Sequence, residues 1–165
     1  MKSLKSFQGK DLSKEICVLR IDLNVEDKSN FRLLAILPTF KLLQKAGAKI
    51  IILGHEGRPK YGNKKDYKKY SLKPFVNVLS KEIKREVIFI GFKPPLSKNF
   101  FFETRGRIDN APKGSIFLLE NLRFLPGEVE DDVGLAKKLA SLGTFYVNDA
   151  FSASHRVNAS LVGIT

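Results

Sequence analysis

The sequence has one cysteine, no hydrophobic run long enough to cross a membrane, and far fewer acidic than basic residues. A single cysteine, Cys17, excludes a disulfide framework and a cysteine-based metal cluster, and we expect it to be a buried strand residue. A membrane-spanning helix needs about 20 consecutive apolar residues. Residues 1–15 also lack the apolar core of a signal peptide. These absences predict a cytoplasmic protein without a membrane anchor.

Several motifs that accompany particular chemistries are missing as well. The chain has no G-x-x-x-x-G-K-[ST] phosphate loop, no G-x-G-x-x-G fingerprint and no G-x-S-x-G elbow. It has only two histidines, His55 and His155, and a metal site built from them with Asp22 or Asp149 is disfavoured. We therefore expect neither a metal site nor a nucleotide site within this chain.

Positive charge is abundant. The 165 residues include 29 basic and 17 acidic side chains, which gives a net charge of +12 at neutral pH. Such a field attracts anions, among them nucleic acid, acidic membranes and phosphorylated metabolites. The lysines lie mostly in solvated runs, but five of the eight arginines lie near predicted strand ends: Arg20, Arg32, Arg58, Arg123 and Arg156. Because arginine binds phosphate and carboxylate through paired hydrogen bonds, this distribution indicates an anion site.

Hydrophobic periodicity predicts five strands and three helices. The strands are residues 16–23, 50–53, 87–90, 115–120 and 144–148. The helices are residues 32–46, residues 72–85 with Ser71 as N-cap, and a third from Asp131 or Asp132 to residue 142. Pro38 requires the first helix to be kinked or to start later than residue 32. The lysine-rich residues 60–73 are expected to form a loop, and no helix is predicted in residues 91–114.

Strands that alternate with helices predict a doubly wound, Rossmann-like α/β domain. Its parallel sheet would be covered by helices on both faces, in three αβα layers. No linker divides the chain, so residues 1–165 are expected to form one domain. Right-handed crossovers place the carboxyl ends of all strands at one edge of the sheet, where open α/β sheets bind ligands.

Polar and cationic side chains follow most of these strands. They are Asp22 and Asn24 after the first strand, His55 and Arg58 after the second, Asn121 and Arg123 after the fourth, and Asn148, Asp149, His155 and Arg156 after the fifth. Arg32 opens the first predicted helix, whose backbone N–H groups face the same edge. Four or five cations at one edge indicate an anion site, and the acids and amides would bind hydroxyl groups. The predicted ligand is a small phosphorylated hydroxy acid or sugar.

Six segments of the chain resemble phosphoglycerate kinase in sequence and in order. They are RIDLNV (residues 20–25), FRLLAILPT (31–39), GHEGRPK (54–60), YSLKP (70–74), LLENLRFLPGE (118–128) and VNDAFSASHR (147–156). The resemblance runs from end to end of the chain but covers only the family's N-terminal, 3-phosphoglycerate-binding domain. It implies that the inter-domain helix and the nucleotide-binding domain lie outside this chain.

The resemblance also implies roles for matched residues. Asp22 and Asn24 correspond to the contacts with the substrate hydroxyl and carboxylate. Arg32 corresponds to the catalytic arginine at the reacting carboxylate and the migrating phosphoryl group. The basic patch for the 3-phosphate corresponds to His55, Arg58, Arg123 and Arg156. The implied reaction is reversible phosphoryl transfer in glycolysis between ATP and 3-phosphoglycerate, giving 1,3-bisphosphoglycerate. ATP or ADP with Mg²⁺ would bind the missing domain, so we expect this chain to bind substrate as a monomer and to transfer nothing.

Alternatives stay open at this stage. Glu56 stands where the family commonly has an apolar residue, and its carboxylate would compete with phosphate for His55 and Arg58. His55 has a second interpretation as a hydrogen-bonded loop imidazole, and Arg20, inside a strand, is expected to be a structural partner of an acid. The alternative function is a non-catalytic polyanion or nucleic-acid binder on the same fold. It is less favoured, because most of the aromatic residues lie in apolar strand or helix patterns and are not interleaved with surface lysines.

Overall fold

The computed structural model describes residues 4–24, 34–150 and 157–165, and a parallel sheet of five strands lies at its centre. The strands are β1 (Ile16–Ile21), β2 (Lys49–Leu53), β3 (Val87–Ile90), β4 (Ile116–Leu119) and β5 (Phe145–Asp149). Their order across the sheet is β3-β4-β2-β1-β5, and every neighbouring pair is parallel. The five predicted strands are confirmed, each within about two residues of its expected bounds.

Helices connect the strands. They are α1 (Leu37–Lys45), α2 (Lys64–Lys69), α3 (Phe75–Ile83), α4 (Phe100–Asp109) and α5 (Val133–Ala140). Shorter helical turns are the 3-10 segments Leu4–Phe7 and Leu122–Phe124 and the π-helical segment Ala159–Gly163. In the described ranges, none of the helices is long and apolar enough to cross a membrane.

Two helices differ in their bounds from the prediction: residues 34–35 are helical but a turn at Ile36 separates them from α1, and α3 begins only at Phe75. Pro38 lies in the first turn of α1, where its missing N–H breaks no helical hydrogen bond. The prediction that Ser71 caps α3 is wrong, because α3 begins four residues later and the Ser71 hydroxyl donates to Glu120 at 2.7 Å. The predicted start of α5 is confirmed, since Asp132 accepts a hydrogen bond from the backbone N–H of Leu135 at 2.6 Å.

Two helices were not predicted. α2 lies within residues 60–73, where a loop was expected. It buries no residue, so no apolar period marks it, and its start is fixed by Asn63, which accepts a hydrogen bond from the backbone N–H of Lys65 at 3.1 Å. α4 lies within residues 91–114 and buries only Thr104 and Ile108. Neither helix is marked in the sequence by hydrophobic patterning, and only α2 has a side-chain cap at its start.

The sheet buries side chains on both faces because helices cover both faces. On what we call the α1/α3 face, Leu19 and Ile21 of β1 pack in one cluster with residues of α1 and α3. On the α4/α5 face, Ile16 and Val18 pack in a second cluster with residues of α4 and α5. Residues 50–53 of the central strand β2 have no exposed surface, and each such side chain contributes about 1.5–3 kcal/mol. The doubly wound, three-layer α/β fold is therefore confirmed.

Candidate functional site

The carboxyl ends of the three inner strands lie side by side at one edge of the sheet. β2 pairs with β1 on one side and with β4 on the other, and all three run in the same direction. The loops after these strands carry Asp22 and Asn24, then His55 and Arg58, then Arg123. Five of the seven predicted substrate-binding residues therefore follow adjacent strands.

Gly57, in the loop after β2, is contacted from both neighbouring strand exits. Its backbone N–H donates to Asn24 Oδ1 at 2.8 Å, and its carbonyl accepts a hydrogen bond from Arg123 Nη1 at 3.1 Å. Gly57 adopts φ +63°, and a Cβ at this position would lie 2.3 Å from the ring of Tyr70. Glycine alone fits this conformation and this space. We call Asn24, Gly57 and Arg123 the Gly57 junction.

Asn121, at the end of β4, fixes the backbone around this junction. It is fully buried, and its Nδ2 donates to the carbonyls of Glu56 and Tyr70, both at 2.8 Å. Its Oδ1 accepts a hydrogen bond from the backbone N–H of Arg123 at 3.0 Å. Since one amide ties three loops together, the edge of the sheet is preorganised before any ligand binds.

Glu120 precedes Asn121 and was not singled out from the sequence. It is 5% exposed, and its carboxylate accepts hydrogen bonds from the Ser71 hydroxyl and from the backbone N–H groups of Leu72 and Asn121, at 2.7 to 2.8 Å. The signal that would have found it is a carboxylate placed directly at the end of a fully apolar strand. Its hydrogen bonds connect β4 with the turn before α3.

Asp22 shapes the turn after β1. Its Oδ1 accepts a hydrogen bond from the backbone N–H of Asn24 at 2.9 Å. Asp22 is half-buried, whereas Asn24 is exposed. Thus Asp22 holds the backbone from which Asn24 reaches the loop after β2.

His55 is 2% exposed, and its Nδ1 lies 2.8 Å from Nη2 of Arg20. Arg20 is fully buried within β1, and its Nε donates to Ser160 Oγ at 3.0 Å. Burial raises the pKa of Glu128, and the hydrogen bond from Ser160 and the charge of Arg20 act in the opposite direction. Arg20 therefore lies in a buried polar network with an acid, which agrees with its expected structural role.

The remaining predicted site residues differ in accessibility. Arg58 is exposed and forms no hydrogen bond or ion pair with the residues that the structure describes. Arg123 is half-buried at the Gly57 junction. Arg32 and Arg156 lie outside the described ranges, and so does His155.

The exit of β5 makes a different kind of contact. Asp149 accepts a hydrogen bond from the Thr39 hydroxyl in α1 at 2.6 Å, and Asn148 Oδ1 accepts one from the backbone N–H of Ala150 at 3.0 Å. These bonds fasten α1 to the sheet and shape the turn after β5. Asn148 and Asp149, which were predicted as polar residues after the fifth strand, therefore make structural contacts in this fold.

A hollow lies beside the exits of β3 and β4, and it was not foreseen. Its rim carries Lys64, Lys68, Lys73 and Lys93, and its walls include Tyr67, Val76, Phe89 and Phe92. We call it the lysine hollow. Glu120 and Ser71 also line it, so the hollow borders the hydrogen bonds that connect β4 with the turn before α3.

The fold and this edge define the chain as a doubly wound α/β protein with a fixed cluster of arginine, histidine, amide and carboxylate groups at the carboxyl ends of its inner strands. The family model for phosphoglycerate kinase matches residues 7–165. The chain therefore belongs to the phosphoglycerate kinase family.

Individual relatives agree with this assignment. The chain is 42% identical over 171 residues to a phosphoglycerate kinase of Wolbachia pipientis subsp. Culex pipiens (strain wPip), a match that covers all of this chain and 40% of the relative. It is 39% identical over 159 residues to one of Fervidobacterium nodosum, which covers 93% of this chain and 38% of the relative. The chain thus spans about two fifths of the length of the relatives it matches.

Solved structures show the same fold. The phosphoglycerate kinase of Coxiella burnetii superimposes with a TM-score of 0.74 at 31% identity, covering 94% of this chain and 38% of that chain. The phosphoglycerate kinase of Pyrococcus horikoshii OT3 superimposes with a TM-score of 0.76 at 29% identity, covering 99% of this chain and 40% of that chain. The predicted relationship to this family is confirmed.

Proposed function

We propose that this chain is the 3-phosphoglycerate-binding part of a phosphoglycerate kinase, and that it folds as one substrate domain over residues 1–165. The complete enzyme would transfer a phosphoryl group reversibly between ATP and 3-phosphoglycerate in glycolysis. The observation that best supports this proposal is the Gly57 junction, where loops from three adjacent strand exits meet. A rigid edge with two arginines suits a small acid phosphate better than a flexible polymer.

Each predicted site residue has a proposed task. Asp22 and Asn24 would bind the substrate hydroxyl and carboxylate, and Arg32 would contact the reacting carboxylate. The 3-phosphate would bind His55, Arg58, Arg123 and Arg156. The exposure of Arg58 and the partial burial of Arg123 support this division. The Arg58 side chain is accessible to a ligand, whereas Arg123 is already aligned by its hydrogen bond to Gly57.

The reaction itself needs little from this chain beyond alignment. A substrate carboxylate is already ionised at neutral pH, so its attack on a phosphoryl group requires no general base. The obstacle is the approach of one anion to another, which guanidinium groups reduce by placing positive charge beside the reacting oxygens. An arginine in such a position contributes roughly 10³–10⁵ in rate.

ATP with Mg²⁺ would supply the phosphoryl group. Among the residues that the structure describes, no group of three or more His, Cys, Asp and Glu side chains is placed to hold a metal ion. We therefore assign nucleotide and metal binding to the part of the protein that the relatives have beyond the matched two fifths of their length. The isolated chain is expected to bind 3-phosphoglycerate and to transfer nothing.

Calorimetric titration with 3-phosphoglycerate tests this proposal. Arg123→Ala should weaken binding at least about tenfold, because a charge-assisted hydrogen bond contributes about 1.5–3 kcal/mol. Arg107→Ala is the matched control, since Arg107 is an exposed arginine of α4 and the substitution removes the same charge elsewhere. If both variants weakened 3-phosphoglycerate binding equally, binding would depend only on the net charge of the chain, and the specific site would be rejected.

A second candidate is polyanion or nucleic-acid binding through the lysines, and the lysine hollow favours it. The two functions differ in their salt dependence. Nucleic-acid affinity falls steeply with salt in proportion to the phosphates neutralised, whereas a small ligand held by a few partly buried arginines should lose less. A steep salt slope for an oligonucleotide, together with no response to 3-phosphoglycerate, would favour the second candidate.

We also propose that the chain is a cytoplasmic monomer. A related phosphoglycerate kinase of Arabidopsis thaliana, 37% identical over 169 residues, is named as cytosolic. Sedimentation of the purified chain at the mass of 18.6 kDa would support the monomer, and a concentration-dependent increase in mass would reject it.

A further inference from the structure

Arg20 connects the candidate site with a distant part of the chain. It is fully buried, and its guanidinium donates to the backbone carbonyl of Ile21, to Ser160 Oγ at 3.0 Å and to His55 Nδ1 at 2.8 Å. Ser160 lies 140 residues further along the sequence, in the π-helical segment Ala159–Gly163. The same guanidinium therefore contacts both this segment and the imidazole of His55 in the candidate site.

The contact with Arg20 determines which nitrogen of His55 carries the proton. A guanidinium has only N–H donors and stays charged at all accessible pH values, so it cannot accept a hydrogen bond. Nδ1 of His55 must accept, which requires a lone pair on Nδ1 and places the imidazole proton on Nε2. In this tautomer Nε2 is a hydrogen-bond donor, which is what an anionic oxygen requires.

Two residues hold Arg20 in place from the other side. The Ser160 hydroxyl has one proton, which it donates to Glu128 Oε1 at 2.6 Å, so its oxygen is left to accept from Arg20 Nε. The backbone N–H of Ser160 donates to Glu128 Oε2 at 3.2 Å. Glu128 is 1% exposed, and its charge balances that of Arg20 through the serine. The order Glu128, Ser160, Arg20, His55 is thus a chain of hydrogen bonds with fixed donor directions.

We propose that Ser160 and Glu128 are positioning residues for His55, acting through Arg20 to hold the imidazole as the Nε2–H tautomer that donates to an anionic ligand. The inference rests on the proposed function for the identity of that ligand. The inference about the tautomer of His55 does not depend on the proposed function, because the tautomer is a property of the chain alone.

The experiment is the imidazole ¹⁵N spectrum of the full chain, with the His55 signals identified by their loss in His55→Gln. The unsubstituted chain should show one tautomer, with an unprotonated Nδ1 and a protonated Nε2. Ser160→Ala removes the acceptor of Arg20 Nε and the bridge to Glu128, so Arg20 is held less firmly against Nδ1 of His55 and both nitrogens should shift toward a mixture of tautomers. It should also weaken 3-phosphoglycerate binding about tenfold.

Ser80→Ala is the matched control. Ser80 accepts a hydrogen bond from the backbone N–H of Val87 at 3.1 Å, at the amino end of β3 and thus at the opposite edge of the sheet. This variant loses a comparable hydroxyl group and should leave the His55 spectrum unchanged. Glu128→Gln keeps the shape of Glu128 without its charge and should shift the tautomer in the same direction as Ser160→Ala.

A folded Ser160→Ala variant with an unchanged His55 spectrum would overturn the inference. If Ser160→Ala does not fold, Glu128→Gln serves as the test variant. An unchanged His55 spectrum in Glu128→Gln would also overturn the inference. Failure of both variants to fold would assign the network to folding alone and reject the positioning role. Absence of 3-phosphoglycerate binding in the unsubstituted chain would instead reject the proposed function, while the ¹⁵N spectrum still decides the tautomer.

Discussion

The two faces of the sheet differ in what they bury near the candidate site. Along β1, the α1/α3 face carries only apolar side chains, such as Leu19, which pack against α1 and α3. The α4/α5 face starts in the same way with Val18 but then buries Arg20, together with Glu128 and Ser160. One face contributes stability through apolar burial. The other face buries fewer apolar groups near the site and instead holds a polar network in which Arg20, Ser160 and Glu128 are hydrogen-bonded in sequence.

This difference follows from the alternation of side chains along a strand. Successive residues of β1 point to opposite faces, so Arg20 shares a face with Val18 and not with Leu19. Arg20 pairs in register with Leu53, two residues before His55, which places both polar groups on the same face at the carboxyl edge. A buried network of charged groups adds little net stability but is costly to break, so this network fixes a geometry more than it strengthens the fold.

The largest expected effect comes from breaking the network. Glu128→Ala removes a buried carboxylate from the Arg20 network and with it the acceptors of two hydrogen bonds from Ser160. The free energy of unfolding should fall by about 3–5 kcal/mol, as measured by urea denaturation.

Leu43→Ala is the corresponding destabilising substitution on the α1/α3 face. Leu43 has no exposed surface, and its truncation should cost about 2–5 kcal/mol through lost burial and the cavity left behind. Although the two costs are similar, only Glu128→Ala should change the His55 spectrum. A similar spectral change in both variants would show that the faces are not separate in the way described here.

A smaller effect is expected at the Gly57 junction. Gly57→Ala combines a positive φ with a collision against the ring of Tyr70, whereas Gly62→Ala has φ +79° and nothing within 4 Å of the added Cβ. Gly62→Ala should therefore cost roughly 1 kcal/mol from backbone strain alone, and Gly57→Ala at least about 2 kcal/mol. Thermal unfolding of both variants measures the difference.

The substrate readout separates the two glycines further. Gly57→Ala should also weaken 3-phosphoglycerate binding, because the junction that aligns Arg123 moves with Gly57. Adding Tyr70→Ala to Gly57→Ala should restore part of the lost stability. If the two single variants were equally stable, the close approach of Tyr70 would have no energetic consequence.

Much of the fold was predictable because its signals are local. Four consecutive apolar residues in β2, bounded by Gly54, identify a doubly buried strand, and Cys17 was correctly expected to be buried. Burial raises the pKa of the Cys17 thiol, so it packs as an inert apolar side chain. The helices α2 and α4 were missed because their burial is slight, and hydrophobic periodicity is the signal on which such predictions depend.

The sequence predicted that several polar residues follow adjacent strands, but it did not predict the contacts between them. Asn24 and Arg123 could be assigned to one edge because each follows a strand of a predicted parallel sheet, yet that both contact Gly57 depends on the shapes of three loops. Glu128 and Ser160 gave no sequence signal as partners of Arg20, since contacts over 30 to 140 residues are set by packing of the whole domain. The roles of all seven predicted substrate-binding residues stay predictions, and Arg32 and Arg156 also lie outside the described residues.

The smallest expected effect concerns pH, and it tests whether burial outweighs the hydrogen bond from Ser160 and the charge of Arg20 in setting the pKa of Glu128. Because burial raises the pKa of Glu128 above 4.5, the folded chain binds this proton more tightly than the unfolded chain. The stability contributed by this carboxyl is therefore fully present below about pH 4.5 and is lost as the pH rises through the raised folded pKa. Glu128→Gln cannot titrate, so the stability of the unsubstituted chain relative to this variant should decrease over that interval in urea titrations. An increase instead would mean that the hydrogen bond from Ser160 and the charge of Arg20 together outweigh burial, and the ionised carboxylate would then stabilise the α4/α5 face.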